Sequence, residues 1–320
     1  MSRNDKKSTV HLFAGGVAGA VAATATAPLE VVKTRLQSSV VAFQPVHAPV
    51  LATSAGPVTT PATSALARPG NTLACLRRIV ATEGTRSLFK GLGPTLVGIA
   101  PSRAIYFACY NHFKSYYNAV FEPNTAPVHL SAAVSAGVTA CTITNPIWVI
   151  RTHLQLDPTT KESFRYSAVK CVKDVWRREG LRGFYRGLTA SYAGTSETAI
   201  YFVLYERFKE NLRKQGLLEN SQSTTSTDVI QYMIASACAK LTATVIAYPH
   251  EVARTRLRQN DGANRRYHSL IQTLVRVWRE EGRHGLYGGL GTHLIRVIPN
   301  SAILFATFET IVRFSAAWSD

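Results

Sequence analysis

The sequence predicts an all-α membrane protein with six transmembrane helices in three tandem αα repeats, each carrying a short amphipathic helix between its two spans. Three observations lead there. Six windows of span length are nearly free of charge. A proline-acid-base motif occurs three times. Each copy is followed by Glu-Gly, an aromatic residue and glycine.

The windows come first because their length decides the class. Leu12 to Leu29 and Ala126 to Ile150 hold no Asp, Glu, Lys or Arg, and each approaches the roughly 20 residues that cross a bilayer. Leu92 to Tyr110 carries Arg103, Leu188 to Tyr205 carries Glu197, Val229 to Pro249 carries Lys240, and Leu290 to Phe308 carries Arg296. Small residues four apart, Gly15 with Gly19 and Ala133 with Gly137, predict close helix packing.

Composition agrees once the distribution of charge is considered. The 320 residues include 36 Lys+Arg against 19 Asp+Glu, a net +17, with 46% hydrophobic residues. A soluble nucleic-acid binder could carry that charge. Basic loops between apolar spans account for it as well, and the charge-poor windows favour this reading, so no nucleic-acid partner is expected. The polar start, MSRNDKKSTV, does not look like a cleaved leader. Cys75, Cys109, Cys141, Cys171 and Cys238 show no metal-ligand spacing and read as buried small hydrophobes. No phosphate-cradling loop, metal cluster or nucleophile elbow points to an enzyme, a cofactor or a metal.

The repeats set the organisation. PLEVVKTRLQ from Pro28, NPIWVIRTHLQ from Asn145 and YPHEVARTRLRQ from Tyr248 lead to EGTRSLFKG from Glu83, EGLRGFYRG from Glu179 and EGRHGLYGG from Glu281. The expected units are 8–120, 121–218 and 226–316. The first carries an insertion over 38–70, rich in Pro, Ala and Thr, that reads as a loop. Loops 38–88, 156–184 and 259–286 hold 4, 7 and 5 Lys+Arg, whereas 115–127 and 207–228 hold 0 and 4. The basic loops therefore face the electrically negative compartment and both termini the other.

A proline within a helix removes a backbone donor and kinks the helix. Pro28, Pro146 and Pro249 would bend three helices together, and the charges one turn on would reach neighbouring helices. This triple pattern, in register with six spans over essentially the whole chain, resembles the mitochondrial carrier family (solute carrier family 25). The resemblance implies a threefold pseudosymmetric bundle, multi-pass in the inner mitochondrial membrane, with short matrix helices and termini toward the intermembrane space. It also implies a monomer working by alternating access among inner-membrane lipids such as cardiolipin.

The resemblance further implies a matrix gate of Glu30, Lys33, Gln37, Trp148, Arg151, Gln155, Glu251 and Arg254. In the family's order Glu30 meets Arg151, Glu251 meets Lys33, and Trp148 faces Arg254 where an acid would stand. The cytoplasmic gate would be Lys114, Glu206, Lys209 and Glu309, with Lys114 meeting Glu206 and Lys209 meeting Glu309. Asn111 and Val312 lack the charges that would complete it.

Seven residues into each second span, from Gly91, Gly187 and Gly289, lie Gly98, Gly194 and Arg296, which match the family's substrate contact points. An arginine at mid-membrane marks a pathway, and its planar fork suits phosphate. Glycine lets a flat base or ribose approach the backbone. Ser102, Arg103, Thr195, Glu197 and Lys240 join the candidate substrate site. Arg103 reads either as a ligand contact or as a partner of Glu197, and Glu197 as a base contact, a titrating group or a lysine's counter-ion. Fourth-span register leaves Ser196 or Glu197 at the position of Pro101 and Pro299.

Trp148 in place of the second acid resembles carriers of nucleotides, flavin, folate and pyridine dinucleotides. GLGPTLVGIAPSRAIYFACY, YPHEVARTRLRQ and the long first loop look most like the pyrimidine nucleotide carriers. The expected substrate is an anionic nucleotide of the UTP, CTP and dTTP class, exchanged or imported. A carrier of NAD, FAD or folate, and a proton-leak protein on the same fold, are the rivals.

Overall fold

The computed structural model describes residues 3–38, 72–157, 168–214, 226–259 and 266–317. The insertion expected over 38–70 lies outside the described residues beyond Ser38. Six long helices form the frame: α1 (Arg3–Gln37), α3 (Leu92–Val120), α4 (Ala126–Leu156), α6 (Leu188–Lys214), α7 (Ser226–Leu257) and α9 (Leu290–Ala317). Three shorter ones connect them: α2 (Thr72–Glu83), α5 (Ala168–Glu179) and α8 (Leu270–Leu286). The shortest long helix, α6, has 27 residues. At about 1.5 Å per residue it exceeds the roughly 30 Å hydrocarbon layer.

By length and apolar composition, three segments meet the span criterion outright: Ala14–Gln37, Ala126–Leu156 and Leu290–Phe314. The long helices α3, α6 and α7 carry more polar windows, including Arg103, Glu197 and Lys240. Glu197 and Lys240 face one another, and Arg103 is exposed.

Each second helix packs along the first helix of the next repeat: α3 on α4, α6 on α7, and α9 back on α1, which closes the ring. The first helices bury small residues at four-residue spacing: Ala14, Ala18 and Ala22; Ala132, Ala136 and Ala140; Ala235, Ala239 and Ala243. Small side chains permit this close approach. The expected Gly15–Gly19 and Ala133–Gly137 pairs are one residue out of phase with the buried stripes. A Cβ at Gly15 would meet nothing within 4 Å, while one at Gly137 would sit 3.2 Å from the Thr195 methyl. Apolar length does not fix helix phase when both faces are apolar.

The connecting helices are amphipathic, and each packs on the end of its own repeat's first helix. Ile79 lies against Val31 and Val32, Val175 against Ile150 and Leu154, and Val277 in a cluster with Leu257 and Tyr267. Ile79, Val175 and Val277 all stand four residues before the Glu-Gly acid, one helical turn away. Both glycines of each Glu-Gly…Gly signature have positive φ: Gly84 and Gly91, Gly180 and Gly187, Gly282 and Gly289. At the second of each pair a Cβ would crowd a neighbouring repeat's backbone. It would lie 3.1 Å from the Arg151 carbonyl at Gly91, 3.2 Å from that of Arg254 at Gly187, and 3.1 Å from that of Lys33 at Gly289.

The cysteines divide. Cys171 is buried, Cys75, Cys109 and Cys141 are half-buried, and Cys238 is exposed, so the expectation of five buried thiols is corrected. Cys238 sits on a long helix whose apolar side chains also face outward, where exposure carries no aqueous penalty. Burial, with Asp174 and Asp157 nearby, pushes the Cys171 thiol up to about 12. Its thiolate is therefore scarce at pH 9, where an ordinary cysteine is mostly ionised. Maleimide at pH 9 is expected to leave Cys171 unmodified in the native protein and to modify it after unfolding, as read by peptide mass. Labelling in the native protein at the rate of a free thiol would contradict its place in the cluster.

Candidate functional site

The three motif prolines lie inside α1, α4 and α7 and deliver the following charges to one convergence at the helix ends. Lys33 Nζ on α1 reaches Glu251 Oε2 on α7 at 2.5 Å, and Glu30 on α1 pairs with Arg151 on α4. Two glutamines nine residues after their prolines brace these pairs. Gln37 donates to the Tyr248 hydroxyl at 3.0 Å and accepts from Thr255 at 2.8 Å; Gln155 accepts from Thr34 at 2.9 Å.

The third seam differs from expectation. Trp148 does not take Arg254 as its cation. The Arg151 guanidinium lies over its ring, 5.1 Å from the centroid, while Arg254 Nη2 turns to Glu251 Oε1 on its own helix at 3.3 Å. Arg151 stands one turn from Trp148 on the same helix, so it can hold both the ring and Glu30. Arg254 takes the free carboxylate oxygen, which attracts a cation more strongly than a ring worth about 0.5–2 kcal/mol.

Sequence reasoning missed the next layer outward. Arg35 Nη2 donates to Glu83 Oε2 at 2.7 Å and Arg256 Nη2 to Glu281 Oε2 at 2.6 Å. These forks clamp the first and third connecting helices to their repeats. The same side chains donate from Nε to the neighbouring repeat, Arg35 to the Gln155 carbonyl and Arg256 to the Gln37 carbonyl, both at 3.1 Å. The repeat pattern contained the signal, since motif base and Glu-Gly acid recur together. The second repeat has His153 at this offset, and Glu179 pairs with Arg186 instead. Arg258 was also missed. It stands at the offset of Gln37 and Gln155, is buried, and donates to Asn145 Oδ1 at 2.6 Å and Ser191 Oγ at 3.1 Å.

Deeper in the bundle, Gly98 and Gly194 touch the residue immediately after the next repeat's proline. A Cβ at Gly98 would lie 2.9 Å from Ile147 Cγ2, and one at Gly194 2.9 Å from His250 Nε2. Arg296, at the corresponding place, approaches Glu30 Oε1 at 3.5 Å, and its Nε is buried without a hydrogen-bond partner. All three positions therefore contact the motif that follows in the ring. Ser102 Oγ is likewise buried and unpartnered, whereas the Thr195 hydroxyl donates to the Tyr192 carbonyl at 2.7 Å.

Glu197 accepts from Lys240 at 2.7 Å and from Thr244 at 3.1 Å, joining α6 to α7. The alternative pairing of Glu197 with Arg103 is not made, because α7 brings an ammonium to the carboxylate directly. Arg103 is exposed on α3. Helix α6 runs unbroken through Ser196 and Glu197.

At the opposite ends, the expected pairs of Lys114 with Glu206 and Lys209 with Glu309 are not formed. Glu309 instead holds Arg313, one turn along α9, at 2.9 Å. The motif ends are tied by ion pairs between repeats, whereas among the described residues the other ends are joined by neutral hydrogen bonds, Tyr110 with His129 at 2.7 Å and Tyr117 with Ser135 at 3.0 Å. Among the described residues no group of three or more His, Cys, Asp or Glu side chains could hold a metal ion.

A ring of three helix-pair repeats, bent at matched prolines and tied at one end by ion pairs between repeats, defines a membrane carrier. The family described as "Mitochondrial carrier protein" matches residues 4–120, 122–216 and 225–316, and the chain belongs to it. It is 50% identical over 317 residues to solute carrier family 25 member 36 of Mus musculus, covering 98% of each chain. It is 46% identical over 311 residues to solute carrier family 25 member 33 of Homo sapiens, covering 96% of this chain and 95% of that one. Identity to mitochondrial carrier protein rim2 of Schizosaccharomyces pombe is 42% over 317 residues, covering 95% and 89%.

Proposed function

We propose that the protein carries pyrimidine nucleotides of the UTP, CTP and dTTP class across the inner mitochondrial membrane by alternating access, exchanging or importing them as a monomer. The observation that carries the anionic cargo is Arg296, a guanidinium within the bundle whose nearest acid is the motif residue Glu30 at 3.5 Å. That distance leaves the fork available to a phosphate, and Lys240 adds an ammonium on the next wall. The pyrimidine preference rests on the resemblance of Gly91 to Tyr110, of the third motif and of Trp148 to that subgroup.

In this reading the conformation described is closed at the matrix gate and open at the other, with termini toward the intermembrane space. The ion pairs at the motif ends support it, and among the described residues Lys114, Glu206 and Lys209 form no ion pair. Phosphate drawn to Arg296 would compete with Glu30, loosening the α1–α4 seam from the substrate side. Inner-membrane lipids, cardiolipin among them, would surround the connecting helices.

Uptake by the purified full-length protein in liposomes tests the cargo against UTP, CTP, ATP, NAD, FAD and folate. Saturable uptake of labelled UTP, competed by CTP and not by ATP, NAD, FAD or folate, is expected. Competition by a dinucleotide, flavin or folate without competition by CTP would overturn the pyrimidine assignment. Potential-driven proton flux without any nucleotide would favour the leak protein instead.

A further inference from the structure

Two seams of the proposed matrix gate are closed by side-chain ion pairs between helices, α1–α4 by Glu30 with Arg151 and α1–α7 by Lys33 with Glu251. Among the described residues the α4–α7 seam has no ion pair between its helices. It departs from threefold repetition twice. Trp148 stands where the other repeats have Glu30 and Glu251, so an acid is lost. Arg258 stands where they have Gln37 and Gln155, so a base is gained.

The consequence is an excess of cations around one small cavity of about 70 Å³. Lys33, Arg151, Arg254 and Arg258 line it, with Glu30 the one carboxylate among its lining residues; Glu251 stands behind Lys33 and Arg254, paired with both. About 10–15 Å³ on this measure holds one water, so the cavity has room for a small oxyanion. Arg258 is 94% buried, at 6% exposure, and its hydrogen-bond partners are the neutral Asn145 and Ser191. Its Nε, and that of Arg151, are buried without a partner. A buried guanidinium without an acid is costly unless something compensates its charge.

We propose that the closed matrix gate binds a phosphate-type oxyanion between Arg254, Arg258 and Arg151, in the place of the acid the second repeat lacks. The anion ties α4 to α7 as Glu30 and Glu251 tie the other seams. It binds only while the two helices are together, so it stabilises the matrix-closed state and leaves when the gate opens. This holds whichever nucleotide is the cargo.

The test is thermal unfolding of the purified full-length protein in detergent, in sodium phosphate against sodium gluconate at equal ionic strength. Phosphate at ten times its dissociation constant should raise the unfolding midpoint by about 2 °C, saturably. Arg258→Gln, which restores the residue of the other repeats, should remove the shift. Trp148→Asp should remove it too, raise the midpoint in gluconate and slow transport, because a carboxylate then occupies the seam; Trp148→Phe should retain the shift. Arg296→Gln should also retain it, which separates the gate from the substrate site.

If saturating UTP abolishes the phosphate dependence, the oxyanion is the nucleotide's own terminal phosphate; if the two shifts add, it is a free ion. Either result supports an oxyanion site in the gate. Absence of a saturable shift in the native protein overturns the proposal, as does a shift that survives Trp148→Asp or disappears with Arg296→Gln. Should Arg258→Gln not fold, Trp148→Asp and Arg296→Gln decide the matter together.

Discussion

Arg296→Ala is expected to reduce nucleotide uptake to background while leaving a folded protein. The side chain reaches inward from α9 to Glu30 at 3.5 Å and makes no clamp to a connecting helix. Removing it leaves Glu30 paired with Arg151, so no acid is stranded. Losing one partner of a desolvated charge pair with phosphate costs about 2–5 kcal/mol, at least roughly a 30-fold loss of uptake. Arg296→Lys should recover part of it, since an ammonium keeps the charge but not the fork. Uptake at the native rate by an Arg296→Ala protein with an unchanged unfolding midpoint would remove this residue from the substrate site.

Residues at a fixed offset in all three repeats were legible from the sequence, and those whose environment depends on helix phase or on a competing neighbour were not. Pro28, Pro146 and Pro249 could be aligned by eye, and alignment alone brings Glu30 toward α4 and Lys33 toward α7. The same alignment carries Arg35, Arg256 and Arg258, but their partners, Glu83, Glu281 and Asn145, lie tens of residues away or on another helix. Trp148 was matched to Arg254 by threefold analogy. Arg151, three residues further along the same helix, was the nearer cation, and a local neighbour prevails when its energy is similar to that of a distant one. Gly15 and Gly19 suggested one packing stripe: Gly19 does approach a neighbouring helix, where a Cβ would lie 3.5 Å from Ile99, but Gly15 is exposed and the fully buried stripe is Ala14, Ala18 and Ala22, because an apolar window has length but no preferred face. Glu197 had three readings in the sequence. The structure gives it Lys240 and Thr244 as partners, which charge spacing along a single chain could not reveal.

Glu251→Gln is expected to damage the matrix-closed state more than any other single change among the gate carboxylates and amides. One carboxylate serves three partners there: Lys33 at 2.5 Å, Arg254 at 3.3 Å and the Gln37 amide at 3.3 Å. A neutral amide leaves two cations facing each other beside Arg258, in a cavity already rich in positive charge. Breaking a buried pair by removing one partner costs about 3–5 kcal/mol, mostly from the charge left behind. At the lower figure the ratio of closed to open protein falls roughly 100-fold. Transport should stall with the matrix side open, and the unfolding midpoint should drop. Lys33→Met should recover part of the loss when added to Glu251→Gln, because it removes one stranded cation, although Lys33→Met alone is harmful. Contacting residues couple in this way, whereas independent ones add within about 0.3–0.5 kcal/mol. Midpoints measured for the native protein, the two single variants and the double variant give the coupling directly. Strict additivity would mean that Lys33 and Glu251 do not share a seam, and that the ion pairs are not what holds α1 against α7.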